Sequence, residues 1–296
     1  NSTVQSLFYS GSDGVLTNPL EPTLPLEALN VTLPGTILRG VGFRGGTYSD
    51  LFGVIPFTGA ATTEIRGVHT AFQTPVFFPV TPWSINTYGA LPSPGGPVTL
   101  NVTPTQFVSD PASPLTGTMR VYSQMDFRLF YSGNAGDPVG LSAAPSIAGV
   151  YGVPGAHNIA FDVNVRGNPA VGVQEVWVTY TAISGPWAGR WQSIDLTQSL
   201  LDSTRWQGNL LLGGTPAGDV RFLVQAVSGA GLVSMHTNMG RGYIPGAANP
   251  LLSQTAVTLL NPPTSGAYGA QTAVSAKLES EGLPLANQTL SISLGQ

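Results

Sequence analysis

Glycine, proline and β-branched residues interrupt every stretch of this chain that is long enough to hold a regular helix. The sequence contains 37 glycines and 25 prolines among its 296 residues. Both residue types disfavour helix interiors and are common in the tight turns that join strands. Only Leu196–Asp202 is predicted to form a helical turn or two. The sequence therefore predicts an all-β protein with many short strands.

The clearest domain signal lies between residues 146 and 245. Within Asn158–Val165, apolar residues alternate with polar ones, as in a strand with one buried face. Similar runs recur at the spacing of an antiparallel β-sandwich. Trp177, Trp191 and Trp206 are predicted to give this sandwich its largest core side chains. The seven predicted strands are Ile147–Val150, Asn158–Val165, Val173–Thr181, Trp191–Leu196, Trp206–Leu212, Val220–Ala226 and Leu232–Met235.

Residues 1–143 are predicted to form an N-terminal β-rich domain, the first of two antiparallel sandwiches. Two of its strand candidates are separated by Ser123–Asp126, a spacing that predicts a hairpin with a four-residue loop. The predicted strands are Ile37–Phe43, Glu64–Phe72, Val76–Val80, Val98–Val102, Met119–Tyr122 and Phe127–Tyr131.

The tail, residues 255–296, has too few strand signals for a whole sandwich. Ala256–Leu260, Thr272–Leu278 and Gln288–Leu294 favour strands, giving three or four in all. A sandwich of the immunoglobulin type needs about seven strands. A partial sandwich leaves an open sheet edge, which can pair with another chain. We therefore expect either a fragment of a longer protein or completion of the fold by a neighbouring subunit.

Two parts of the chain contain several strand motifs each. The first part contains VQEVWVTYT at 173–181, WQSIDL at 191–196 and DVRFLVQA at 219–226. The second contains TAVSAKL at 272–278 and GLPLANQTL at 282–290. With these motifs, both parts resemble immunoglobulin-like or fibronectin type III-like modules of large bacterial surface proteins. This resemblance covers roughly half of the chain and does not extend to residues 1–143. It implies a β-sandwich fold and an extracellular setting, and it implies no reaction.

Charge and composition exclude several classes of partner. Charged residues make up 9% of the chain, against about 25% in ordinary soluble domains, and the net charge is −4. Without a cluster of Lys or Arg, binding to nucleic acid or to a membrane surface is not expected. No apolar run approaches the roughly 20 residues that a membrane-spanning helix needs. The absence of Cys excludes disulfides, and the start at Asn1 without Met suggests an exported, processed protein or a fragment.

Three features of the sequence bear on catalytic or ligand chemistry. Gly40–Gly45 has the letters of a dinucleotide-binding loop, but without a following helix its glycines are predicted to make a bulge or turn. Asp162–Gly167 begins like a calcium loop, but Arg166 occupies a ligand position. A hydrolase site in residues 1–143 would need His69 beside a carboxylate and a serine. We predict no catalytic residue, no metal site and no cofactor.

Two kinds of carbohydrate-related site remain as predictions. Sequons for N-glycosylation occur at Asn1, Asn30, Asn101 and Asn287. Sugars could instead be bound by stacking on exposed aromatic rings. The candidates for stacking are Trp83, Tyr88, Trp187 and Trp191.

These observations favour a non-enzymatic, extracellular structural protein. The leading hypothesis is a self-assembling subunit of a cell-surface filament, pilus-like fibre or surface layer. Its N-terminal residues 1–10 or its tail, 255–296, would join a sheet of the next copy by strand complementation. The alternative is a fragment of a surface adhesin, or a module of a secreted protein that binds glycans or cell-surface proteins.

Overall fold

The computed structural model describes residues 13–60, 72–87, 98–133, 144–247, 255–260, 275–280 and 283–284. The strands are β1 (Val15–Leu16), β2 (Leu24–Pro25), β3 (Glu27–Asn30), β4 (Ile37–Val54), β5 (Trp83–Thr87), β6 (Val98–Val102), β7 (Thr105–Asp110), β8 (Ser113–Ser132), β9 (Ser146–Pro154), β10 (Asn158–Arg166), β11 (Val173–Ala182), β12 (Arg190–Gln198), β13 (Arg205–Leu211), β14 (Val220–Ser228), β15 (Val233–His236), β16 (Thr255–Leu260), β17 (Ser275–Ser280) and β18 (Leu283–Pro284).

The predicted all-β class is confirmed. Within the ranges given above, no segment is an α-helix, and 3₁₀ turns occur at Gly185–Trp187 and Ala217–Asp219. The helical turn predicted at Leu196–Asp202 is wrong, because β12 continues to Gln198 and pairs there with β13. The chain divides into two compact units, Asn1–Asn249 and Pro250–Gln296.

All seven strands predicted between residues 146 and 245 are present, as β9 to β15. They follow one hydrogen-bonded path, β15-β14-β11-β12-β13-β10-β9, which forms two layers, β9-β10-β13 and β12-β11-β14-β15, joined where β12 pairs with β13. Alternate side chains point between the sheets, where the rings of Phe161 and Phe222 meet with their centroids 5.0 Å apart. Trp177 and Trp206 are buried as predicted, whereas Trp191 is half-buried.

Strand β12 connects three groups of strands. Its middle, Gln192–Leu196, pairs with β11, while Thr197 and Gln198 pair with β13. At its start, Arg190 and Trp191 pair with Thr47 and Gly46 of β4. Strands from residues 1–143 therefore belong to the same hydrogen-bonded sheet as the sandwich strands. The domain bounds 1–143, 146–245 and 255–296 stay predictions.

A long antiparallel ribbon of β4 and β8 dominates the first part of the chain. The hairpin predicted at Ser123–Asp126 is wrong, because β8 runs straight through this segment and pairs with β4. Gln124 lies opposite Thr47, and Asp126 lies opposite Gly45. The polar residues that suggested a loop are the exposed face of the ribbon. The strand predicted at Val76–Val80 is also wrong, since Phe78 forms only an isolated bridge with Phe107. Most of Glu64–Phe72 lies outside the described residues.

Glycines let the ribbon lie close to the sandwich. A Cβ atom on Gly42 would lie 2.5 Å from Cζ2 of the buried Trp177, so a larger residue does not fit there. Register shifts between Leu38 and Gly40 and between Phe43 and Gly45 confirm the predicted bulges. This glycine-rich run is the middle of a strand, which is the wrong context for a dinucleotide-binding loop.

A buried amide fixes the ribbon to the sandwich. The Gln225 side chain accepts a hydrogen bond from the Phe43 backbone N–H at 2.9 Å and donates one to the Phe43 carbonyl at 2.7 Å. Trp177 Nε1 and Thr179 Oγ1 also donate to that carbonyl, at 3.1 and 3.0 Å. The Gln225 amide thus supplies the donor and acceptor that a neighbouring strand would otherwise provide.

Three smaller sheets complete the described fold, one of which is the short pair β1-β2. The sheet β3-β6-β5 contributes Leu100 and Val102 to a cluster with Leu38 and Val41 of β4. In the second compact unit, β16 pairs with β17 over six residues, and β17 pairs with the two residues of β18. The tail strands predicted at Ala256–Leu260 and Thr272–Leu278 are found at β16 and β17. The strand predicted at Gln288–Leu294 lies outside the described residues.

Candidate binding site

One face of the β4/β8 ribbon lines a cavity of about 790 Å³, within the usual size range of ligand pockets. Tyr48, Asp50 and Phe52 alternate along β4, and Arg120 lies opposite Asp50 on β8. The two-residue repeat of a strand places these side chains on the same face. The other lining residues are Ser49, 75–77, Val108, 181–183, 188–189, Trp191, Arg221 and 240–242.

Arg120 lines this cavity, and its guanidinium group contacts Asp50, Tyr48 and Phe77. Its Nε and Nη2 atoms donate to the two carboxylate oxygens of Asp50, both at 2.9 Å. The guanidinium carbon lies 3.8 Å from the ring centroid of Tyr48 and 4.0 Å from that of Phe77. With its side chain 11% exposed, Arg120 needs these contacts to compensate for lost hydration. We therefore assign Arg120 a structural role, in which it supports the lining of the cavity.

A satisfied polar layer lies behind Arg120. The Tyr122 hydroxyl donates to Gln106 Oε1 at 2.8 Å, and Gln106 Nε2 donates to the Pro79 carbonyl at 2.6 Å. Burial raises the pKa of Tyr122 to about 12. Both side chains also line a smaller cavity of about 70 Å³, which shares Arg120 and Trp191 with the larger one. The phenol is thus held neutral and bonded, without the poised pKa of a catalytic group.

Two further arginines line the cavity without a carboxylate partner among the described residues. Arg221 is half-buried, and its Nη1 atom donates to the carbonyls of Gly218 and Val220 at 2.8 and 2.9 Å. Arg241 is exposed in the turn after β15. Among the residues that the structure describes, the lining therefore holds three arginines and one carboxylate, Asp50. The cavity carries a net positive charge in a protein whose net charge is negative.

The same cavity borders an open strand edge. Strand β12 covers β4 only as far as Tyr48, whose N–H donates to the Gly189 carbonyl at 2.8 Å. From Ser49 to Val54, β4 pairs with β8 on one side and has no strand partner on its other side among the described residues. Phe52 on this edge is 80% exposed. Unpaired backbone groups thus lie beside an apolar and cationic cavity.

The predicted sugar-stacking residues have different surroundings. Trp83 lies between Phe43 and Phe127, with centroid distances of 5.1 and 5.3 Å, inside the core of the first region. Trp187 packs edge-on against Tyr180 at 4.9 Å. Trp191 packs edge-on against Phe43 at 6.0 Å and borders the cavity. Tyr88 lies outside the described residues. Stacking of sugars on these rings stays a prediction.

Two of the four sequons lie in the described residues. Asn30 is exposed at the end of β3, where its Oδ1 accepts a hydrogen bond from the Thr32 N–H at 3.0 Å. Asn101 is half-buried in β6, the central strand of its sheet. Asn1 and Asn287 lie outside the described residues. Glycosylation also stays a prediction.

The other candidate groups have structural partners. In the calcium-like run, both oxygens of Asp162 accept hydrogen bonds from Arg205 Nε, at 2.9 and 2.8 Å. His236 Nδ1 contacts the Tyr243 hydroxyl at 2.5 Å, and burial lowers the pKa of this histidine. His69 lies outside the described residues. Across the described ranges, no three His, Cys, Asp or Glu side chains come together as a metal site.

No local sequence pattern predicts the arginine-lined cavity, because its residues come from distant parts of the chain. Asp50 and Arg120 are separated by 70 positions and meet only through the register of β4 and β8.

Among the described elements, no helix has the length and apolar character needed to cross a membrane. Comparisons with protein-family models, curated proteins and solved structures find no match to this chain.

Proposed function

We propose that this protein is an extracellular, non-enzymatic structural protein that joins neighbouring chains by β-strand addition. In this proposal it is a self-assembling subunit of a cell-surface filament, pilus-like fibre or surface layer. The observation that carries the proposal is the open edge of β4 from Ser49 to Val54, beside a cavity large enough to receive side chains. Backbone hydrogen bonds along such an edge supply affinity, while pockets for alternate side chains supply register.

The remainder of β4 strengthens this argument. On the side of β4 that faces away from β8, the backbone groups of Phe43 are hydrogen-bonded to the Gln225 amide, and those of Thr47 face β12. The outer segment, Ser49–Val54, keeps its edge available among the described residues. A contact between this edge and a different segment of the next copy is head-to-tail, so it does not close and extends into a fibre.

The sandwich supports an extracellular setting less directly. Its seven strands lie in layers of three and four that β12 joins, an arrangement close to that expected for the immunoglobulin-like or fibronectin-like modules that the sequence resembles. Membership of that class is part of the proposal. A surface with few charges also reduces repulsion between copies packed side by side.

An adhesin or binding module is the second candidate. The size of the cavity and its aromatic lining favour it, because glycan and peptide sites are concave and partly apolar. A free ligand would then occupy the cavity without joining one copy to the next.

Electron microscopy of the purified protein, with variants of the open edge, tests the main proposal. Phe52→Lys places a charge on the edge, a substitution that blocks edge pairing in natural sheets. The matched control is Leu200→Lys in the turn after β12, where the side chain is also highly exposed. We expect fibres or sheets from the wild type and from L200K, and single particles from F52K. Single particles from the wild type, or fibres from F52K, would contradict assembly through this edge.

A further inference from the structure

The cavity beside the β4 edge combines excess positive charge with unpaired backbone groups. We propose that it receives an acidic side chain from the polypeptide strand that pairs with β4, with Arg221 and Arg241 binding the carboxylate. This inference rests on the proposed strand addition and adds the chemistry of the incoming segment. An Asp or Glu at the matching position would fix which segment pairs and in which register.

Arg120 is not the arginine that recognises the ligand. Asp50 neutralises its charge through two hydrogen bonds, and the rings of Tyr48 and Phe77 cover it. A carboxylate approaching Arg120 would meet the Asp50 charge at the same place. Arg120 instead keeps this part of the cavity lining rigid.

Arg221 is available and already oriented. Its Nη1 atom is fixed by the carbonyls of Gly218 and Val220, and no carboxylate of the described residues pairs with it. The planar guanidinium keeps further donors for a bidentate contact with a carboxylate. Because Arg221 is half-buried, that contact would be less screened by solvent than a surface ion pair.

The second arginine is presented by an ordered turn. Arg241 lies between Gly240 and Gly242, which have φ angles of +81° and +71°. Asn238 Nδ2 donates to the Gly242 carbonyl at 3.0 Å, and the Gly242 N–H donates to the Thr237 carbonyl at 2.9 Å. These bonds hold the turn at the wall of the cavity. Arg241 in this turn and Arg221 on β14 can therefore bind the same carboxylate.

The geometry favours an acidic peptide over an acidic sugar. Sugars bind best to open aromatic faces, but Arg120 covers a face of both Tyr48 and Phe77. Phe52 is the aromatic ring that remains highly exposed at this site. In contrast, the unpaired backbone from Ser49 to Val54 offers what an extended peptide needs and what a sugar does not use.

Selection from a displayed library of random linear peptides tests this inference without a known ligand. Peptides are selected on the wild type and on the double variant R221Q/R241Q. The matched control, R166Q/R190Q, removes two exposed arginines that do not line the cavity. We expect wild type and control to enrich peptides with a shared Asp or Glu, and the double variant to lose that preference.

Binding constants then separate this inference from the proposed function. Replacing the shared Glu by Gln in a selected peptide should weaken binding to the wild type about tenfold and leave binding to R221Q/R241Q unchanged. If the selected peptides share no acidic residue but bind F52K more weakly than the wild type, the acidic preference is overturned and strand addition stands. Peptides that bind F52K as well as the wild type would overturn strand addition itself. Tighter binding of an oligogalacturonate, competing with the peptide, would assign the site to acidic sugars and overturn the peptide assignment.

Discussion

The two halves of strand β4 differ in what their backbone groups meet on the side that faces away from β8. Along the inner half, Ile37–Thr47, backbone groups that face away from β8 are met by Gln225 at Phe43 and by β12 at Thr47. Along the outer half, Tyr48–Val54, that side has no strand partner beyond Tyr48 among the described residues. Phe43 is 2% exposed and Phe52 is 80% exposed. One strand is therefore a core element at its start and an open edge at its end.

The polar groups beside the two halves also differ. At Phe43 on the inner half, the contacts are made by neutral amide and hydroxyl groups, because an unpaired charge in that fully buried position would be very costly. Arg44, the next residue of the inner half, pairs with Glu175 of β11 and Asp195 of β12. The outer half is held by the Asp50–Arg120 ion pair, next to the cavity. The ion pairs of the inner half thus join β4 to the sandwich strands, whereas the ion pair of the outer half joins β4 to β8.

The largest effect should follow from removing the amide at the inner half. Gln225→Leu keeps the side-chain volume but deletes hydrogen bonds to the Phe43 N–H, the Phe43 carbonyl and Thr179 Oγ1. We expect the free energy of unfolding to fall by about 3 kcal/mol, since the buried Phe43 N–H loses the Gln225 acceptor. Denaturant unfolding measures it. The exposed Gln207→Leu serves as the control, and an equal effect in both would refute a special role for the amide.

Alkaline pH should destabilise the junction of the two halves, where Tyr122 lies opposite Tyr48. Burial raises the pKa of Tyr122 from about 10 to about 12, so the folded state favours the neutral phenol. This stability is fully present below pH ~10 and is lost as the pH rises to ~12, by up to about 3 kcal/mol. Unfolding measured across that range should show a shallower decline for Tyr122→Phe. The remaining decline is expected from Tyr131, Tyr180 and Tyr243, because burial raises the pKa of these phenols as well.

Weakening the ion pair of the outer half should cost less. Asp50→Asn leaves the Arg120 guanidinium with one neutral acceptor, and we expect a loss of about 2 kcal/mol because Asp50 is only partly buried. Calorimetric unfolding of D50N and of the exposed Asp126→Asn separates this effect from a general loss of negative charge. If D50N loses less free energy of unfolding than D126N, the Asp50–Arg120 pair does not stabilise the ribbon.

The smallest change in stability is expected at the open edge itself. Phe52→Lys should alter the free energy of unfolding by less than about 0.5 kcal/mol, because the ring makes few contacts in the isolated chain. Denaturant unfolding of dilute monomer checks this value. A loss of 2 kcal/mol or more would mean that the ring supports the fold, and the edge would then resemble the inner half of β4.

Local patterns predicted the sandwich better than they predicted the ribbon. Strands such as β10 were found because their alternation is complete within nine residues. The run through Ser123–Asp126 was misread because its polar residues suggest a turn, while pairing with a distant strand keeps it extended. Arg221 and Asp50 carry no shared signal in the sequence, because their positions follow from packing between regions. Open edges were expected in the tail, but the edge beside the cavity was not.

The position of β12 also bears on how such a protein would carry load. This one strand is hydrogen-bonded to β4 at its start, to β11 along its middle and to β13 at its end. A pull on β4 is transmitted through β12 into both layers of the sandwich at once. Rupture would then require many bonds to shear together, so the tensile strength of a chain of subunits would depend on this shared strand as much as on the joints between them.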